Sequence, residues 1–263
     1  MFSKKFFSTI VNDKPLIIIL FFLSIFVNQY YGNRGIFPID SFLIFDAAHN
    51  IIYGNHPFKD YWLITGPFLD YIQAFFFLIL GVNWFSYVLH ASLINMILTL
   101  FSFYFFLNIG LKNYYAFIYS IGISILAYPP IGTPFIDSHS AIFCIMALYS
   151  FSLAILLKKN LFWFLTPIFL VFSFFSKQIP SVYLIILFSI IFTFYFFNTK
   201  NISKKNLIYL LLGIIFPFLI IFSIFIINEI PIKNFLIQYI FYPFSLGEER
   251  ISKLNIDFKN LIL

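Results

Sequence analysis

Asp40, Asp60 and Asp137 are the residues of this sequence best suited to acid–base work, and each stands in a short polar stretch between long apolar runs. A carboxylate beside a substrate hydroxyl takes up its proton as the oxygen attacks. Asp40 leads into a segment where Asp46, His49, Asn50 and Tyr53 recur at i, i+3, i+4 and i+7 and so share one helix face. Ile44, Ala47, Ala48, Ile51 and Ile52 fall largely on the other, the pattern of a helix lying along a membrane surface. Asp40 reads either as the cap of that helix or as a general base, and the two are compatible because a cap also fixes the side chain. Asp60, in His56-Pro-Phe-Lys-Asp-Tyr-Trp62, is either a second carboxylate aimed at the same cavity or a solvated loop residue. Asp46 and His49 carry the same alternative.

Asp137 and His139 open a later apolar run after a Pro-rich turn. An Asp there complements the helix dipole, yet an Asp and a His at the mouth of a helix bundle are costly to bury and often functional. Lys177 ends another run; its ammonium either snorkels to headgroups or holds a phosphate. His90, inside a run, reads as a hydrogen-bonded core histidine. The histidines show no His-x-x-x-His spacing and Cys144 is the only cysteine, so neither a zinc site nor a disulfide framework is expected. A hard divalent cation held by Asp residues is the one cofactor left open.

These groups need elements to hold them. The 263 residues are 62% hydrophobic and 10% charged, the profile of a polytopic membrane protein. A formal charge of +6 with no basic stripe argues against a nucleic-acid partner. The expected fold is all-α, one transmembrane domain over 1–263, with about seven spans at ~20 residues each. They are expected near 15–29, 84–108, 113–129, 139–157, 160–176, 180–198 and 206–228, the first a retained anchor. An outer loop, 30–82, holds one or two surface-lying helices, the second of them surface-lying or half-inserted. The second, 67–80, would be about 21 Å long, too short for a ~30 Å hydrocarbon core. An outer segment, 229–263, follows the last span.

With the N-terminus cytoplasmic, every short inner loop is basic: Lys4, Lys5 and Lys14, then Lys112, then Lys158 and Lys159, then Lys200, Lys204 and Lys205. All acidic residues except Asp13 then lie outside. An integral protein of a bacterial inner (plasma) membrane is expected.

Taken in order, Asp40, Ala48, Ile51 and Gly54, then Phe58-Lys-Asp60, then Gly66-Pro67 through Ile79-Leu-Gly81, then Asp137 and Lys177, resemble the GT-C membrane glycosyltransferases of the dolichyl-phosphate-mannose/aminoarabinose-transferase-like group. The resemblance covers about residues 36–180. The group has Glu after its first Asp where this chain has Ser41, and an Arg after the surface helix where the nearest ionisable residue here is His90. Its members continue for further spans, so a truncated form or a minimal core is expected. The resemblance implies inverting transfer of a sugar from a polyprenyl-phosphate donor to a glycan, lipid or protein acceptor. In that reaction Asp40 is the base, Asp60 and Asp137 shape the site, and Lys177 meets the donor phosphate. His49 and His139 are further substrate-binding candidates, outside what the resemblance implies. A transporter or flippase of lipid-linked sugars is the alternative, and would need polar residues lining a path through several spans. A non-catalytic membrane fragment is a third reading.

Overall fold

Runs this apolar become helices because inside a bilayer a helix satisfies its own backbone polar groups. In the computed structural model of the chain, residues 13–35, 40, 42–199 and 203–252 are described, and their regular structure is entirely helical. Lys4, Lys5, Pro38, Ser41, Lys200 and Asp257, which carry parts of the sequence argument, lie outside the described residues, as do the side chains of Glu248, Glu249 and Arg250.

The helices are α1 (Lys14–Gly32), α2 (Leu43–Ile52), α3 (Phe68–Leu80), α4 (Trp84–Asn108), α5 (Asn113–Leu126), α6 (Ile136–Leu157), α7 (Asn160–Ser176), α8 (Gln178–Thr199), α9 (Lys204–Ile227) and α10 (Ile232–Phe235), then a π-helical turn (Leu236–Phe241) and α11 (Tyr242–Ser252). Five of them, α1, α4, α6, α8 and α9, are long and apolar enough to cross a membrane. The other two expected spans are shorter. α5 has 14 residues and α7 has 17, about 21 and 26 Å of helix against a core of ~30 Å.

α5 stops short because Tyr128 precedes Pro129-Pro130, and a residue before proline is pushed out of the helical region. The chain then turns through 127–135 with Tyr128, Gly132, Thr133 and Pro134 buried. Irregular backbone is tolerated at such depth where protein covers it. Here α1 is the cover: a Cβ on Gly132, whose φ is +78°, would lie 2.6 Å from Gly32 Cα. The α1–α4–α5 seam is tied by two amides. Asn28 Nδ2 donates to Ser92 Oγ (3.0 Å) and Gly132 O (3.1 Å); Asn95 Nδ2 donates to Ser24 O (3.0 Å) and Ser124 O (2.8 Å). Such bonds join helices where neither lipid nor water can satisfy the groups.

Contacts sort the helix ends into two sets. At one end Trp84 Nε1 donates to Gly32 O (3.0 Å), Gly66 N to Ser176 O (3.2 Å), Gln178 Nε2 to Ile64 O (2.9 Å) and Tyr239 O (2.7 Å), and Lys59 Nζ to Asn228 O (3.0 Å). At the other, the Asn113 amide bonds the Asp13 carboxylate and Tyr104 stacks on Phe162. α3 begins in the first set, beside Ser176, and ends in it, where Ser86 Oγ donates to Gly81 O (2.8 Å). A core cluster lies beneath this end, built from Phe58 and Leu63 of the 53–66 loop, Val171 and Phe175 of α7, Ile221 and Phe225 of α9, and Ile230, Phe235 and Tyr239 beyond.

Candidate functional site

The expected site residues fall at the first end in three groups. Asp40 is exposed, and its backbone carbonyl accepts from Leu43 N (3.3 Å). It is not the side-chain cap of α2, whose N-cap is Phe42 with no side-chain bond. α2 turns Ile44, Ala47 and Ala48 inward and leaves Asp46 exposed, as its periodicity requires. Asn50 Nδ2 donates to Asp46 Oδ2 (3.5 Å), and the His49 ring lies 4.8 Å from that of Tyr53.

Asp137 and Lys177 meet. The ammonium lies 2.5 Å from Asp137 Oδ1, with both side chains partly exposed. The α6 N-terminus and the α7–α8 junction are brought together by helix packing, which periodicity alone does not reveal.

His139, two residues on, points down instead. It is buried against His90, with the two Nε2 atoms 3.1 Å apart. Tyr128 Oη accepts from Phe135 N (2.9 Å) and is paired with His139 Nδ1. Gln73 Oε1 only accepts, so His90 donates to it from Nδ1 (2.9 Å). Neutral His90 then accepts at Nε2 from His139 Nε2–H, and neutral His139 accepts at Nδ1 from Tyr128. Phe135 O lies 3.3 Å from His139 Nδ1, a contact the other tautomer would use. One directed chain thus runs Tyr128–His139–His90–Gln73 and links the start of α6 to α3. Gln73 and Asp70 share a face of α3 at i, i+3 spacing, and both are buried. Gln73 Nε2 and Asp70 Oδ2 have no hydrogen-bond partner among the described residues. Burial pushes the Asp70 carboxyl up to about 8.

The third group surrounds Tyr71. Its hydroxyl lies 3.1 Å from His56 Nδ1, the two rings stacked at 14°. Asp60 Oδ2 accepts from His56 N (2.7 Å), closing a turn. Burial lowers the proton affinity of His56; Asp60 opposes this and Lys59 adds to it. Burial also raises the Tyr61 and Tyr71 hydroxyls well above their ordinary value, with Asp70 and Asp60 adding to both and Asp46 to Tyr61. Tyr71 also lines an apolar groove of about 280 Å³ between α3, α7 and α9, with Phe68, Phe75, Phe172, Ile221 and Phe225 among its walls.

Among the described residues, no hydrogen bond or ion pair joins Asp40, Asp60 and Asp137 to one another, and no three His, Cys, Asp or Glu side chains converge as a metal site would need. His56, Tyr61, Asp70, Tyr71, Gln73 and Tyr128 were not singled out as site residues from sequence. The Asp70–Gln73 spacing was the available signal. The partnering of Tyr128, in a Pro-rich turn, left none. No family model matches the chain, and no curated protein or solved structure does so.

Proposed function

We propose that the chain is an inverting GT-C-like glycosyltransferase, moving a sugar from a polyprenyl-phosphate donor to an acceptor hydroxyl at the outer face of a membrane. The observation that carries this reading is the apolar groove between α3, α7 and α9, which has a hydroxyl at one side and carboxylates close by. A catalyst for a water-insoluble substrate needs a lateral opening to the bilayer next to polar chemistry, and the exposed Phe75 and Ile220 rim this one.

In this reading α5 and α7 complete seven passes, and α2 and α3 lie along the surface. The end carrying Lys112, Lys158, Lys159, Lys204 and Lys205 is cytoplasmic by the positive-inside rule. Asp40 takes the acceptor proton as the acceptor oxygen attacks the anomeric carbon; the bond from that carbon to the donor phosphate breaks, and the phosphate leaves with the electron pair. Lys177 neutralises the departing phosphate, and Asp137 holds the ammonium in place beforehand. Asp60 and the His56 it anchors shape the wall, while His49 lies on the acceptor side. His139 supports the α6 mouth from below.

Asp40→Asn tests the assignment. Because the side chain is exposed, folding is expected to be unaffected. Sugar transfer in membranes is expected to fall by about 10² to 10⁴, the usual worth of a general base. Unchanged turnover would remove Asp40 as the base and the mechanism with it.

A further inference from the structure

The groove and the side chains at its polar rim have a definite chemical character. Nine of the ten residues lining the groove are apolar, and Tyr71 is the exception. The Tyr71 hydroxyl is held by His56, and His56 is held by the Asp60 turn. The loop itself is tied down from beyond α9. Asn234 Nδ2 donates to Phe58 O (2.9 Å), and Leu63 N donates to Gln238 Oε1 (2.9 Å). The rim is therefore tethered to the segment that follows α9. It also has spare bonding capacity: the Tyr61 hydroxyl is buried without a partner.

Asp60 lies within electrostatic reach of the Tyr71 hydroxyl, and Asp46 joins it at Tyr61, while burial favours the protonated form of Asp70. Lys59 is the cation that reaches His56, and it is already held by Asn228 O at 3.0 Å and Glu229 at 3.8 Å. An anionic headgroup here would face like charge in a partly desolvated site. A hydroxyl suits it, since carboxylates accept from hydroxyls and the tyrosine hydroxyls both donate and accept.

We propose that this groove binds an amphiphile with an uncharged, hydroxyl-bearing head: the tail lies between α3, α7 and α9, and the head hydrogen-bonds Tyr71 and Tyr61 beside Asp60. The binding stands on its own. Its role rests on the transferase reading, in which this lipid is the acceptor and the anionic donor enters on the Lys177 side.

The test uses the full chain in nanodiscs and two photoreactive probes with the same diazirine-bearing dodecyl tail, one a β-glucoside and one a phosphate. Mass spectrometry maps the adducts, and unlabelled competitor gives apparent affinities. The glucoside is expected to label α3, α7 and α9 groove peptides saturably and at least about tenfold more tightly than the phosphate, a difference of about 1.4 kcal/mol. Tyr71→Phe is expected to cut that preference to within about threefold while Tm holds. Ile221→Trp, which fills the groove, is expected to abolish saturable labelling by both probes. Equal or tighter labelling by the phosphate probe, or labelling that never saturates, overturns the proposal. The outcome is independent of the Asp40→Asn assay: loss of the transferase reading would leave saturable glucoside labelling in place, and phosphate preference would leave that reading standing with the groove as its donor site.

Discussion

Asp70 is a carboxyl held where ionisation is expensive. Its folded value, about 8, lies above the ordinary 3.8 because burial disfavours the charged form. A native state that holds the proton more tightly than the unfolded state loses stability as pH rises. The contribution of Asp70 is thus fully present below about pH 4, declines between there and pH 8, and is gone above. Asp70→Asn, neutral throughout, is expected to flatten that slope in detergent-melting curves taken from pH 5 to 9. An unchanged slope would mean that Asp70 is solvated in the folded protein. The His90–His139 contact gives a second expectation at this scale. His90→Phe leaves His139 Nε2–H and Gln73 Oε1 without partners at a cost of about 1–3 kcal/mol each. A double-mutant cycle with His139→Phe is therefore expected to show strong coupling. The sequence marks His90 as a core histidine, since an imidazole inside an apolar run must be satisfied. It does not reveal the partner, because the two histidines are 49 residues apart and helix register across an interface is set by packing. Asp40, Asp60 and Asp137 were visible as exposed carboxylates in polar breaks for the opposite reason: exposure follows from local composition alone.

At the scale of elements, α3 explains most of what lies around the site. The spacing predicts a helix over 67–80, and the helix runs Phe68–Leu80 because its apolar pattern is unbroken until Gly81, whose φ is +82°. α2 was equally legible from its two faces. α5 was not: a run apolar to residue 129 ends as helix at Leu126, since the Tyr-Pro-Pro step overrides hydrophobicity. α3 enters beside α7 at Gly66, where a Cβ would lie 1.7 Å from Phe175 O and so collide with backbone. Gly66→Ala is therefore expected to destabilise the protein by about 3 kcal/mol and to widen the groove, measurable as a lower Tm with raised probe labelling. Similar packing lets α9 approach α7, since a Cβ on Gly213 would lie 2.2 Å from Phe164 O beside Pro167. Pro167 of α7 and Pro217 of α9 each sit inside a helix and are buried there.

For the whole molecule, the two sets of helix ends make a topological statement that reagents can check. Single cysteines at Trp62, Val82 and Asn228 are expected to react with an impermeant maleimide from one side of the membrane, and cysteines at Lys112, Lys159 and Lys204 from the other, in a background with Cys144 replaced. Labelling of Trp62 and Lys159 from the same side would break the seven-pass arrangement. The buried interior is more polar than the sequence leads one to expect of a lipid-embedded bundle. Asn28, Ser92, Asn95, Thr99 and Ser120 are all buried, yet each bonds another helix or its own backbone. Asn28, Ser92 and Asn95 tie helices together, while Thr99 and Ser120 bond within their own helices.

The stretch from Asn228 to Tyr239 behaves as a buckle. It grips the 56–64 strap through Lys59, the Phe58 carbonyl and the Leu63 amide, and it grips Gln178 through Tyr239. Cutting the chain ahead of Asn228 would leave every apolar pass intact while freeing that strap. Such a shortened protein is expected to insert and fold, yet to be clipped by trypsin at Lys59, where the longer one resists.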